Sequence, residues 1–282
     1  MITRFAPSPT GPLHLGHAYS AMVAHDMARG ANGTFHVRIE DIDQTRSRPE
    51  WEALIEEDLT WLGLSWPRTA LRQSDRLPAY RDALERLWAD GLLYACTCSR
   101  RDIIDAASAP QGAPQIGPDG VVYPGSCRHV APRTGPLPDV ALRLDMGGAL
   151  ERLSVPGFQE TGPDHRGHHI ADPQHLIQNV GDVVLMRPAY GTSYHLSVVI
   201  DDAHQGITHV VRGTDLFEAT AIHVLLQALL GLPTPIYHHH RLIRDASGRR
   251  LAKRDDARAI RLYRADGASP DDIRKMVGLP GA

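Results

Sequence analysis

Lysine is nearly missing from this chain: of 30 basic residues in 282, only Lys253 and Lys275 are lysines and the other 28 are arginines. Cysteine is as sparse, with three residues, two of them one apart at Cys96 and Cys98. That excludes a disulfide framework and suits a reducing compartment or a metal. No apolar run reaches membrane-spanning length, and the N-terminus lacks a basic-then-apolar leader, so a soluble cytoplasmic protein with no membrane partner is expected. An excess of positive charge is also absent. The net charge of −3 and pI near 6.6 give no global signal for nucleic acid, and any RNA contact must be a local arginine patch, for which Arg100, Arg101 and Arg128 are the candidates. The length and 42% hydrophobic content do allow one large or two small domains with a sizeable core.

What is present is densest at the beginning, where residues 1–17 read MITRFAPSPTGPLHLGH. Residues 2–5 suit a short buried strand, the proline-rich 7–12 continue neither strand nor helix, and the periodicity from Leu13 opens a helix. A helix start exposes unpaired N–H groups and the positive end of the macrodipole, which favours phosphate. His14 and His17, three apart, share one face of that first turn, with Gly16 beside them, so two imidazole donors stand where a triphosphate could lie.

Residues 34–39 alternate like a strand and run into Glu40-Asp41-Ile42-Asp43, the end of a strand where α/β proteins bind ligands. A solvated acidic turn is the preferred reading for Asp41 and Asp43, while Glu40 stays a candidate. Trp51, Leu54, Ile55 and Leu62 fall at helical spacing with polar Asp58 out of pattern, and Tyr80, Leu84, Leu87 and Trp88 mark another helix. Cys96, Cys98 and Cys127 are a strong start on a tetrahedral zinc site, for which chemistry alone nominates His129 as fourth ligand. Residues 140–144 read as a strand. Residues 157–175 read as a polar loop in which His165, His168, His169 and His175 are simply solvated. Strand character returns at 181–186, at 194–200 (YHLSVVI, ending in Asp201-Asp202) and at 206–211, followed by an apolar helix over 216–230. A last strand spans 235–241, and its alternation keeps His238, His239 and His240 from meeting one ligand. A D-x-S-G turn then leads to residues 250–254 (RLAKR). Lys253, in a chain that otherwise uses arginine, offers a compact ammonium that arginine does not replace at a phosphate. Short helices are expected at 259–264 and 270–277.

Residues 4–17 (RFAPSPTGPLHLGH), long and in register, resemble the HIGH-type motif of class I aminoacyl-tRNA synthetases in their glutamyl branch, and RLAKR resembles that family's KMSKS loop, with Arg250 for the first lysine and Ala252 for the serine. The C-x-C…Y-x-x-x-C pattern, with only 29 residues after Lys253 in place of an anticodon-binding region, resembles the glutamyl-Q tRNA(Asp) synthetase family. The resemblance implies an α/β fold: a Rossmann-type parallel sheet with an inserted zinc-binding acceptor-type subdomain and a short helical C-terminal tail. The expected divisions are 1–95 and 176–240 for the two halves of the catalytic domain, 96–175 for the insertion, and 241–282 for the KMSKS-like loop and tail.

It further implies glutamate binding by Arg4, Ser8, Glu40, Tyr194 and Arg212, ATP binding by His14, Gly16, His17 and Lys253, and catalysis by His14, His17 and Lys253. Structural zinc would sit on Cys96, Cys98, Tyr123 and Cys127, Tyr123 standing ahead of His129. The substrates would be L-glutamate, ATP with Mg²⁺, and queuosine-containing tRNA(Asp), handled by a monomer. Arg212 fits chemically because a guanidinium offers a carboxylate two parallel donors. A minimal glutamyl-tRNA synthetase charging a 3′ end, or a non-catalytic regulatory paralogue, are the alternatives.

Overall fold

The computed structural model describes residues 1–67, 69–108, 113–130, 133–154, 156–244 and 258–281. The chain begins with β1 (Ile2–Phe5), α1 (Leu15–Gly30), β2 (Thr34–Ile39), α2 (Pro49–Trp61), β3 (Leu71–Arg72), α3 (Leu77–Ala89) and β4 (Leu93–Cys96). Next come α4 (Arg100–Ser108), the small strands β5 (Ile116–Gly117) and β6 (Gly120–Val121), β7 (Ala141–Leu144), α5 (Met146–Arg152), β8 (Phe158–Glu160), β9 (Gly167–His169) and α6 (Pro173–His175). It continues through β10 (Val184–Met186), α7 (Tyr194–His204), β11 (His209–Gly213), α8 (Thr220–Leu230), β12 (Ile236–His240), α9 (Ile260–Ala265) and α10 (Pro270–Met276). Among the described residues no helix is long and apolar enough to cross a membrane.

Parallel pairing joins β1, β2 and β3 in that order, and a second parallel set runs β11, β12, β8, with β9 antiparallel at its edge. The two sets meet where Thr208 N–H donates to Ile2 O at 3.0 Å. Strand order reverses at this seam, since the chain leaves β1 for β2 on one side and finds β11 on the other, and open α/β sheets bind ligands at such a point. A smaller antiparallel sheet has β7 between β4 and β10.

Three expectations from sequence are corrected. Residues 194–200 are not a strand but the first turns of α7, capped by Ser193. His195, Leu196, Ser197, Val198 and Val199 are all buried, so the β-branched run carries no alternation to separate a buried strand from a buried helix. The strand at 181–186 does not resume the parallel sheet; as β10 it belongs to the antiparallel one. Within 157–175, β8 and β9 form a hairpin whose β8 joins the main sheet through Tyr237 and Glu160.

Packing explains the rest. Ala18, Ala21, Ala24 and Ala28 put a smooth face of α1 on the sheet, and the C-terminal helices return to this core with Ile260 and Ile273. Along α2 and at its end, Ile55 and Leu62 are buried as the spacing predicts, but so is Asp58, and neither of its carboxylate oxygens has a hydrogen-bond partner among the described residues. Burial, opposed by Arg264, pushes its carboxyl up to about 6. The folded state therefore takes up a proton more readily than the unfolded chain, and stability falls as pH rises from about 4 through 6. Asp58→Asn should gain up to about 3 kcal/mol above pH 7 and flatten that slope, read by urea unfolding at pH 5 and pH 8.

Candidate active site

At the seam, one buried carboxylate ties three elements together. Asp202 of α7 receives Arg4 Nε from β1 at 2.9 Å and Arg38 Nη1 from β2 at 2.6 Å. Burial opposes its ionisation, but the two guanidiniums outweigh that and hold its carboxyl below the usual range. Arg38 then reaches Glu40 Oε1 from Nη2 at 3.2 Å, and its neighbour Asp201 accepts from Tyr80 Oη at 2.7 Å and Gln73 Nε2 at 2.9 Å. Burial raises the Glu40 pKa against the pull of Arg38 and Arg4. Beside it Asp41 departs from the solvated turn expected of it: it is buried and accepts from the backbone N–H and hydroxyl of Ser74 at 2.8 and 2.7 Å.

The histidines of the HIGH-like stretch are built into the start of α1. His14 is the N-cap and accepts Gly16 N–H on Nδ1 at 3.1 Å, while His17 Nδ1 accepts His14 N–H at 3.2 Å. Both rings accept on Nδ1, so each neutral imidazole carries its proton on Nε2, and they stack with centroids 3.7 Å apart. Gly16 fits because a Cβ there would stand 3.0 Å from His14 Cε1. The chain returns to this place, since Ile260 N–H donates to Leu13 O at 2.8 Å and Ala259 bridges to His14.

Arg4, His14, Gly16, His17, Glu40, Tyr194 and Arg212 all line one cavity of about 350 Å³. Ser8 lines a second, of about 400 Å³, which shares Glu40 and Tyr194 with the first. Lys253, with Arg250 and Ala252, lies outside the described residues. Arg212 is 5% exposed, and four of its five N–H groups are engaged, so it offers a ligand a single Nη1–H rather than the expected fork. Arg4 keeps more to give, with one hydrogen on each Nη beyond those used on Asp202 and Val211 O.

Away from the sheet, the thiols of Cys96 and Cys98 each lie 3.5 Å from Tyr123 Oη, and those of Cys98 and Cys127 lie 3.4 Å apart. A tetrahedron of zinc–thiolate bonds has edges of about 3.8 Å, so these four atoms fit a metal of that size. His129 is exposed and outside the group. Among the described residues no other cluster of His, Cys, Asp and Glu has metal-binding spacing; His165 stacks on Phe217 instead. Arg128 is bound to Asp182 at 2.7 Å, which leaves Arg100 and Arg101 as the exposed pair of the three RNA candidates. Sequence reasoning missed Arg38, Asp202, Glu160, His223 and His239; the adjacent Asp201-Asp202 and the triple histidine were the available signals.

A family described as "tRNA synthetases class I (E and Q), catalytic domain" matches residues 1–117 and 171–282. A glutamyl-Q tRNA(Asp) synthetase of Rhodobacter capsulatus is 66% identical over 99% of this chain and 100% of its own length. One of Symbiobacterium thermophilum is 42% identical over 96% of this chain and 83% of its own. Among solved structures, a glutamate-tRNA synthetase of Elizabethkingia anophelis superposes with TM-score 0.76 at 26% identity; the chain is covered to 98% but spans only 61% of that enzyme. A methionyl-tRNA synthetase of Mycobacterium tuberculosis shares the fold, with TM-score 0.62 at 13% identity. With its seam site and its parallel sheet, the chain belongs to the glutamyl-Q tRNA(Asp) synthetases, ligases of the class I aminoacyl-tRNA synthetase family.

Proposed function

We propose that this chain activates L-glutamate with ATP, without needing tRNA, and then esterifies it to queuosine at the wobble position of tRNA(Asp). The observation that carries this reading is one cavity, at the reversal of strand order, whose lining brings together the guanidiniums of Arg4 and Arg212, the Glu40 carboxylate and the helix-start imidazoles of His14 and His17. Glu40 meets the α-ammonium of glutamate. Arg4 and Arg212 meet its side-chain carboxylate, with Tyr194 as a wall and Ser8 at the entrance from the second cavity. ATP, entering with Mg²⁺, lays its phosphates against the first turn of α1, where the Nε2–H groups of His14 and His17 and the amides beside Gly16 donate. The α-carboxylate oxygen attacks the α-phosphorus in line, the bond to pyrophosphate breaks, and glutamyl-adenylate remains. Lys253 neutralises the charge gathering on pyrophosphate. Support for its reach comes from the two described flanks of its segment, since Ile243 lines the cavity and Ala259 bridges to His14. A queuosine hydroxyl entering through the second cavity then attacks the carbonyl carbon, forming the ester as AMP leaves.

The proposed domain division keeps 1–95 and 176–240 as the catalytic halves, 96–175 as the insertion and 241–282 as loop and tail, with β8 of the insertion returning to the main sheet and β4 and β10 flanking its β7. Zinc on Cys96, Cys98, Tyr123 and Cys127 would tie β4 to the loops that follow it, where few apolar residues are buried. A monomer in the cytoplasm is the proposed state.

Lys253→Ala should cut glutamate-dependent ATP–pyrophosphate exchange by about 100-fold or more; exchange near the wild-type rate overturns the role given to that loop. Metal analysis should find one zinc per chain and a marked loss in Cys96→Ser, with unchanged stoichiometry ruling the site out. Labelled glutamate should pass to tRNA(Asp) from cells that make queuosine and not to tRNA(Asp) from cells that cannot. Labelling of tRNA(Glu) in place of either would return the protein to ordinary 3′-end charging, and exchange without any transfer would refute the acceptor.

A further inference from the structure

Arg212 is buried, yet every group that holds it is uncharged. Its Nε donates to His239 Nε2 at 3.0 Å, Nη1 to His223 Nδ1 at 2.9 Å, and Nη2 to Thr220 Oγ1 at 2.8 Å and Leu216 O at 3.1 Å. A guanidinium keeps all its protons, so both imidazoles must accept from it, and each is fixed as a single tautomer. His239 therefore carries its proton on Nδ1 and donates it to buried Glu160. His223 carries its own on Nε2, 3.1 Å from His195 Nδ1, and the Nε2 of His195 lies 3.3 Å from Asp119 Oδ1 in the turn between β5 and β6. Burial, reinforced by Arg212, puts His223 well below its ordinary pKa, so it is neutral at pH 7. His195 and Asp119 line the second cavity. A line of hydrogen bonds thus runs from the guanidinium in one cavity to the rim of the other.

We propose that His223 is a positioning residue for amino-acid specificity: it takes one Nη1–H of Arg212, aims the other at the ligand, and leaves the cation's charge unspent. The inference rests on reading the cavity as a glutamate site. A carboxylate in place of His223 would hold Arg212 equally well but would neutralise it, and the site would then gain little by choosing an anionic side chain over its amide. A neutral imidazole supplies direction without cancelling charge. Among the described residues no carboxylate pairs directly with Arg212, whereas Arg4 and Arg38 both lean on Asp202. Arg241, the other guanidinium of this cavity with no carboxylate partner, holds the Val277 carbonyl and lies over the Tyr19 ring, whereas Arg212 stands among the histidines, and His223 is the neighbour that sets where its remaining N–H points.

Two nearly isosteric replacements test this in the full chain. His223→Asn places an amide oxygen where Nδ1 stood, and His223→Asp places a charged oxygen there. Pyrophosphate exchange is followed with glutamate and with glutamine for each. The Asn variant should keep the glutamate KM within about threefold of wild type. The Asp variant should raise it at least tenfold and lower the preference for glutamate over glutamine by a similar factor, with the KM for ATP unchanged. A merely structural role would shift both variants alike and would not touch the preference. Equal glutamate KM and equal preference in the two variants overturn the inference while leaving the glutamate reading intact. No glutamate-dependent exchange in the wild-type protein overturns both. If the Asp variant does not fold, His223→Leu takes its place, with the glutamate KM expected to rise tenfold at constant ATP KM; an unchanged value counts against the proposal.

Discussion

The site depends on Asp202. Without its carboxylate, Arg4 and Arg38 would be two buried guanidiniums side by side on adjacent strands, which no fold of this size tolerates cheaply. With it, β1, β2 and α7 are fixed to one another at the seam, and each arginine has a defined face left for other work. Arg38 spends that face on Glu40; Arg4 turns its own towards the cavity. A single anion thus sets the positions of a carboxylate and a guanidinium that would meet opposite ends of the same amino acid.

The first turn of α1 works by a related economy. Every helix start has backbone N–H groups to satisfy, and this one satisfies two of them with imidazoles. The capping bonds fix both rings on the helix and both tautomers, so the Nε2–H groups proposed to face the nucleotide are oriented by secondary structure itself. A serine would cap as well but would leave no ring nitrogen for a phosphate.

The seam strand, the first helix and the residues around Glu40 were legible in the sequence because local chemistry marks them: a proline-rich turn, a paired histidine, an acid at a strand end. Arg212 and Tyr194 were legible through their flanking segments. The conformation around Tyr194 was not, since a fully buried helix rich in valine has the same pattern as a buried strand. His223 and His239 were invisible as partners of Arg212, and Glu160 as the partner of His239, because only the fold brings β8 and β11 beside α8 and β12. Asp41 was misread for the same reason, its partner Ser74 lying 33 positions away.

That β1 is flanked by β2 on one side and by β11 on the other has a consequence for how the molecule comes into being. During synthesis β2 follows its neighbour within a few dozen residues, but β11 begins at His209, so at ordinary elongation rates the two neighbours emerge roughly 10–35 s apart. Through that interval Arg4 and Arg38 have no Asp202 to meet, and the half-sheet holding them exposes an unpaired edge on β1. The growing chain therefore passes through a long stage in which it has its first helix, with His14 and His17, but not yet the cavity that Arg212 completes.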